Sequence, residues 1–219
     1  MEDFSLNLLC RGREHLLPIT LDSLKAQSGS FEVILLDGEG SGKLNPLIKR
    51  YEGLNMRVEM GKGKSLPQLM NLGLSHSHGK YVQFLQPGEL YLSQWGLSYL
   101  TELIAEEPPL IAARGVDEEI FSHWFLKSRL LAFGGFNEKV QNRPLFDVLC
   151  RFRKEGIEPL QSTRALIDGI QEPNGPLLET CQILYRHFGM AYAFKWMIHG
   201  HSRTWQRAAT FLKDAFWRD

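Results

Sequence analysis

Residues 82–92, VQFLQPGELYL, run as a short apolar strand into a polar, tightly turned tip, Gln86-Pro87-Gly88-Glu89. An open α/β sheet presents its ligand groups at strand ends of this kind. The tip carries one carboxylate, Glu89, where a metal-binding tip carries two or three. It fits the edge of an active site, the remains of one, or an ordinary turn, and the surrounding chain has to decide.

Upstream of that strand, short apolar runs alternate with helical patterns. Ser5–Cys10 reads as a strand, and Glu14–Ala26 carries Leu17, Leu21 and Leu24 at helical spacing, with Pro18 tolerated in the first turn. Phe31–Leu36 is a buried strand, Met56–Met60 a shorter one, and Gln68–Ser75 a helix bearing Leu69, Leu72 and Leu74. Strands alternating with helices imply right-handed crossovers and a largely parallel sheet. Downstream, the pattern predicts a helix over 92–105, stopped by Glu106-Glu107-Pro108-Pro109, then strands at 110–113 and 119–123. A short helix follows at 127–133, ended by Gly134-Gly135, and another at 144–155, closed by Gly156. DGIQEPNGPL (168–177) is the best internal boundary, and 178–219 reads as helical, with Trp196, Trp205 and Trp217.

The 219 residues are 43% apolar and 23% charged, the composition of a folded domain. Lys+Arg and Asp+Glu both total 25, which argues against a generally basic nucleic-acid binder. The amino terminus, MEDFSLNLLC, is acidic and lacks the apolar core of a signal peptide, and no stretch is apolar enough to span a membrane. Cys10, Cys150 and Cys181 lie far apart in apolar runs and read as reduced core thiols of a cytoplasmic protein.

Several motifs invite chemistry and stop short of it. DGEGSGK (37–43) follows a strand with three glycines and a lysine. The phosphate loop, however, needs Gly where Asp37 stands and Ser or Thr where Leu44 stands. It reads as a Gly-rich turn, with Asp37 still placed to accept hydrogen bonds from a base or ribose. GKGKS (61–65), just ahead of a helix, fits an anion site and equally a solvated basic turn. The seven histidines show no helical zinc spacing, and no Gly-x-Ser-x-Gly elbow supports hydrolase chemistry.

Four stretches then fall in a telling order: LLCRGREHLLPITLDSLKAQ (8–27), FEVILLDGEGS (31–41), NLGLSHSHGKYVQFL (71–85) and FGGFNEKV (133–140). They resemble, in turn, the opening strand, Asn-Arg turn and helix; the strand ending Asp-Asp-Gly-Ser; the Asn-x-Gly helix with its following strand; and the Gly-Gly-Phe-Asp-Glu acceptor-side loop of the family 2 glycosyltransferases. The resemblance covers roughly residues 5–156. It implies the GT-A fold, a Rossmann-like three-layer α/β domain with a largely parallel central sheet over residues 1–167, and a helical C-terminal extension over 168–219. It implies a transferase moving a sugar, with inversion, from a nucleotide-diphosphate donor to a hydroxyl acceptor, either a glycan or a lipid-linked molecule. The alternative is a catalytically inactive module of the same fold that binds nucleotide, glycan or a protein partner.

The roles the resemblance implies attach to particular residues. Asp37 would bind the nucleobase, Cys10 and Arg13 would lie along the nucleoside, and Asn71 would stand on the sugar side. Gly12 occupies the place of the family Asn. LQPGE falls on the family's metal-binding Asp-x-Asp stretch, so Gln86 and Gly88 replace the two aspartates and Glu89 takes the following acidic place. A hard cation, Mg or Mn, wants carboxylate oxygens there. With Glu89 alone the site is either a weak metal site or metal-independent, with Lys62 or Lys64 supplying charge to the diphosphate. The catalytic-base position falls on Leu145, which leaves Asp147 in the next helix and Glu138 in the loop as fallback bases. His187 is the candidate for a late metal-site histidine, with His199 and His201 behind it.

The C-terminal segment sets Trp205, Ala208, Ala209, Leu212 and Phe216 along one helix face, with basic residues around it. Such a helix fits the inner face of a membrane. Packing on its own domain or in a homodimer is the preferred alternative.

Overall fold

The computed structural model describes residues 2–40, 42–114, 121–169 and 177–190. The chain enters β1 (Phe4–Cys10), a 3-10 turn at Glu14–Leu16 and α1 (Leu17–Lys25). It continues through β2 (Phe31–Asp37), α2 (Asn45–Arg50), β3 (Met56–Met60), α3 (Leu66–His76) and β4 (Tyr81–Leu85). Then come β5 (Leu90–Tyr91), α4 (Gly96–Leu103), a 3-10 turn at Ile104–Glu106, β6 (Leu110–Arg114) and β7 (Phe121–Leu126). The last described elements are α5 (Lys127–Ala132), α6 (Pro144–Lys154), β8 (Leu160–Gln161), β9 (Ile167–Asp168) and α7 (Leu177–Phe188).

Seven strands form one sheet in the order β3-β2-β1-β4-β7-β6-β8, while β5 and β9 pair apart from it. β1, β2, β3 and β4 run parallel, and β7 is antiparallel to both neighbours. Every residue of β1 is buried, as a central strand covered on both faces requires. Its side chains alternate between two cores. Phe4, Leu6, Leu8 and Cys10 meet Leu17, Leu21 and Leu24 of α1 and Leu97 and Leu100 of α4. Leu9 belongs to the other side, with Leu69, Met70 and Leu74 of α3, Leu130 of α5, and Val148 and Phe152 of α6. The result is a three-layer α/β architecture.

The layering fixes where a ligand can sit. The connection from β1 to β2 runs over one face through α1, and that from β3 to β4 over the other through α3. Strand order therefore reverses between β1 and β4, and the loops leaving them diverge at the carboxyl edge. A crevice at this point is where open α/β sheets bind their ligands.

Local signals explain most element boundaries. Pro18 sits in the first turn of α1, and at the start of α3 the Ser65 N–H donates to Gln68 Oε1 at 2.9 Å. α3 approaches β1 closely at Gly73, where a Cβ would stand 2.4 Å from Asn7 Oδ1. The helix expected over 92–105 begins only at Gly96. Leu90–Tyr91 instead pairs with Ile167–Asp168, and the Leu92 N–H donates to the Leu166 carbonyl. Gln27 then holds the turn by donating to the Ser93 carbonyl at 2.8 Å and accepting from the Leu97 N–H at 3.1 Å. Pairing with distant segments overrides the local helical pattern there. The strand expected at 119–123 is described from Phe121 and runs to Leu126.

At the amino edge, far from the crevice, a buried carboxylate organises a polar cluster. Glu32, 1% exposed, accepts from Ser5 Oγ and the His78 N–H at 2.5 Å each, and from Arg57 Nη1 at 2.5 Å. Burial pushes its pKa up, but the hydrogen bonds from Ser5, His78 and Arg57 outweigh it and bring it down to about 2 from 4.5. A depressed carboxylate pKa means stability that is present above the unfolded value and lost as pH falls through the folded one. Melting temperature is thus expected to fall between about pH 4.5 and 2 in the wild type. The Glu32→Gln variant should melt lower at neutral pH and show a flatter acid profile. Parallel profiles for the two proteins would remove Glu32 as the cause.

Candidate functional site

The ends of the first three strands are level, because Cys10 pairs with Asp37 and Asp37 with Met60 in parallel register. Three loops therefore leave the sheet side by side. Asp37, 1% exposed, closes the middle one on itself. Its Oδ1 accepts from the Glu39 and Gly40 N–H groups at 3.1 and 2.8 Å, and its Oδ2 from the Gly42 N–H at 3.1 Å. These three donors take three of the roughly four lone-pair sites that a carboxylate offers. The neighbouring loops lock onto it: the Gly38 N–H donates to the Cys10 carbonyl and the Gly61 N–H to the Asp37 carbonyl.

The Gln86–Glu89 tip is a type II turn. The Glu89 N–H donates to the Gln86 carbonyl at 3.0 Å, Pro87 takes the second position, and Gly88 the third with φ +100°. Glu89 Oε2 accepts from the Gln86 N–H at 2.7 Å, and Thr20 of α1 holds the tip by accepting from the Gly88 N–H at 2.9 Å. Glu89 thus braces its own turn. Sequence reasoning missed Thr20, whose only signal is a polar residue on the apolar face of α1.

The other residues expected along the nucleoside and diphosphate divide by burial. Cys10 is fully buried and its Sγ–H points to the Leu8 carbonyl at 3.5 Å. Burial pushes the thiol pKa up, with Glu14 and Asp37 adding to it, so Cys10 contributes packing and its backbone carbonyl to this edge. Arg13 is half-buried, and its Nη1 is buried with no hydrogen-bond partner. Lys62 and Lys64 are exposed on the third loop.

Asn71 of α3 holds the 133–140 loop through backbone groups. Its Nδ2 donates to the Phe136 carbonyl at 2.9 Å, and its Oδ1 accepts from the Phe136 N–H at 2.8 Å. Glu138 is exposed, with its carboxylate accepting from Gln68 Nε2 at 3.2 Å and Asn71 Nδ2 at 3.4 Å. Arg151 of α6 grips the same loop, donating to the Phe133 and Gly135 carbonyls at 2.6 Å each.

Asp147 and His187, expected to act separately as base and metal ligand, meet each other. Asp147 is fully buried, with its Oδ1 at 3.0 Å from His187 Nε2. Arg151 Nε lies 3.0 Å from Oδ2, in charge contact though not aligned as a hydrogen bond, and Arg186 Nη1 stands 3.7 Å from Oδ1. At the other end of α7, Glu179 accepts from the Gln141 and Asn142 N–H groups. These contacts seat α7 on the loop and helix before it. His199, His201 and the C-terminal tryptophans lie outside the described residues.

No protein-family model and no curated protein sequence matches the chain. Solved structures do. The mannosyltransferase PcManGT from Pyrobaculum calidifontis, in complex with GDP-Man and Mn2+, superposes with a TM-score of 0.65 at 14% identity, over 92% of this chain and 65% of that one. S. aureus TarS 1–349 in complex with UDP-GlcNAc gives 0.70 at 14% identity, over 85% and 65%. A TarS structure of greater length gives 0.66 at 15%, over 85% of this chain and 39% of that one. The fold is that of the GT-A glycosyltransferases. At such identities the likeness speaks for the fold, and the chain spans only about two thirds or less of these three structures.

The Mn2+ in that neighbour's complex raises the question of a metal here. Gln86 offers an amide, Gly88 no side chain, and Glu89 an oxygen already given to its own turn. Among the described residues no group of three His, Cys, Asp or Glu stands close enough to hold a metal ion. The donor set does not fit Mg or Mn. No described helix is long and apolar enough to cross a membrane.

Proposed function

We propose that the chain binds a nucleoside diphosphate sugar in the crevice between the β1, β2 and β4 ends and transfers the sugar, with inversion, to a hydroxyl of a glycan or lipid-linked acceptor. The observation that carries this is the strand-order reversal between β1 and β4, with the Asp37 loop beside it. Asp37 fixes the shape of the loop that meets the nucleobase, and the backbone at 10–13 lines the nucleoside. Glu138 takes the acceptor proton, because it is the solvent-reachable carboxylate on the 133–140 loop, while Asp147 is sealed. Residues 1–167 are the donor-binding domain of this reading, and 168–219, whose sequence carries basic residues, the extension that would meet a membrane face or a second subunit.

A second reading, a binding module without turnover, is favoured by the use of Glu89 and Asp147 in local hydrogen bonds and ion pairs. Calorimetric titration with UDP- and GDP-sugars, followed by product analysis with glycan acceptors, separates the two. A transferase should bind one donor class and turn it over, and Glu138→Gln should lower kcat about 100-fold with donor affinity intact. Affinity without turnover supports the module. No affinity for any donor would sink the transferase and leave only a module that binds a glycan or a protein partner.

A further inference from the structure

Four cationic side chains stand on the first and third loops of the carboxyl edge: Arg11, Arg13, Lys62 and Lys64. Two are fixed by their stems against the middle loop. A Cβ at Gly38 would meet Arg11 Cγ at 2.5 Å, and one at Gly40 would meet Lys62 Cβ at 2.4 Å. The glycines of DGEG therefore let an arginine from one side and a lysine from the other lie across the loop that Asp37 ties down. Both residues are exposed, so packed stems carry heads that reach solvent above the same edge.

Arg13 adds a signal of a different kind. Its Nη1 is buried and has no hydrogen-bond partner. A buried guanidinium nitrogen left unpaired is costly, and an anion is the group that satisfies it best. Among the described residues, the acidic groups of the first two loops do not pair with that nitrogen. Asp37 is engaged by the three N–H groups of its own loop, Glu14 Oε1 accepts from the Gly12 N–H at 2.9 Å, and Glu39 is exposed.

Building on the nucleotide-sugar reading of this crevice, we propose that the donor's diphosphate is held by Arg11, Arg13 and Lys62 without a divalent cation. Nucleoside diphosphate sugars carry two negative charges next to each other, which must be neutralised by a metal on carboxylates or by cationic donors. Gln86, Gly88 and Glu89 do not provide the first arrangement. Three loops bound together by Asp37 and two glycines provide the second, with a fork-shaped donor unpaired at its base. Lys64, exposed on the same loop as Lys62, adds to the field.

Titration calorimetry on the full chain tests this with sodium pyrophosphate, UDP and GDP, each in EDTA and again with Mn2+. The expected result is binding of pyrophosphate and of one nucleotide in EDTA, with no gain on adding Mn2+. Arg13→Gln and Lys62→Gln should each weaken both ligands about tenfold, the loss of one charge-assisted hydrogen bond. Lys62 is exposed, so its variant keeps the fold, and melting curves verify that Arg13→Gln does too. Binding that needs Mn2+, or that neither variant weakens, overturns the proposal. Pyrophosphate bound as tightly as every nucleotide keeps the cationic site but rejects the nucleotide-sugar reading. No binding of any of the three ligands rejects both.

Discussion

Asp147→Ala is expected to lower the unfolding free energy by about 3–5 kcal/mol, the loss that follows when one partner of a buried ion pair is removed. The carboxylate is fully buried and stands between Arg151 and His187, each at 3.0 Å. The side chains of His187 and Arg151 are only 9% and 19% exposed, so water replaces the lost carboxylate poorly. Removing Asp147 takes the carboxylate away from both and loosens α7, whose other end is held by Glu179. Arg151 also grips the Phe133 and Gly135 carbonyls, so the 133–140 loop should loosen with it. Asp147→Asn keeps the shape and a hydrogen bond to His187 while losing the charge, and should fall between wild type and alanine. Urea unfolding of the three proteins measures this. A general base would behave differently, with turnover lost and stability unchanged in Asp147→Asn. Such an outcome would return Asp147 to the role of fallback base, two residues beyond the Leu145 position.

Asp37→Ala is expected to remove nucleotide binding and to cost about 2 kcal/mol or more of stability together. Three backbone N–H groups, of Glu39, Gly40 and Gly42, lose their shared acceptor. Rehydration of the loop recovers part of that energy but not its shape, and Gly38 and Gly40 no longer lie where Arg11 and Lys62 cross them. Asp37→Asn should be milder, because its carbonyl can still accept from Glu39 and Gly40 while its NH₂ opposes the Gly42 N–H. Calorimetry with UDP and GDP and urea unfolding on the same samples give the two readouts. Lost affinity at unchanged stability would mean that Asp37 touches ligand only and does not build the loop.

The fold was legible because its signals are local. β1, β2 and β4 are near-continuous apolar runs, α1 and α3 carry leucines at helical spacing, and Pro-Gly marks the turn after β4. The short pieces were not legible. β5, β8 and β9 are two residues each and exist through pairing with partners far along the chain, which no local pattern encodes. The helix α2 has six residues, with Pro46 in its first turn and too few apolar positions to show a period.

The sequence by itself determined the order of the main strands and helices, the carboxyl edge they share, and which residue types stand there. It determined that Gln86 and Gly88 cannot act as two metal-binding carboxylates, since that is a matter of side-chain chemistry alone. Only the tertiary structure decided what the remaining polar groups do. Asp147 and His187 are 40 residues apart and form one buried contact. Glu89 bends back to its own turn, Asn71 reaches the Phe136 backbone, and Asp37 gathers three amides. A buried polar group must find a partner, and packing rather than sequence position determines which one is within 3 Å or so.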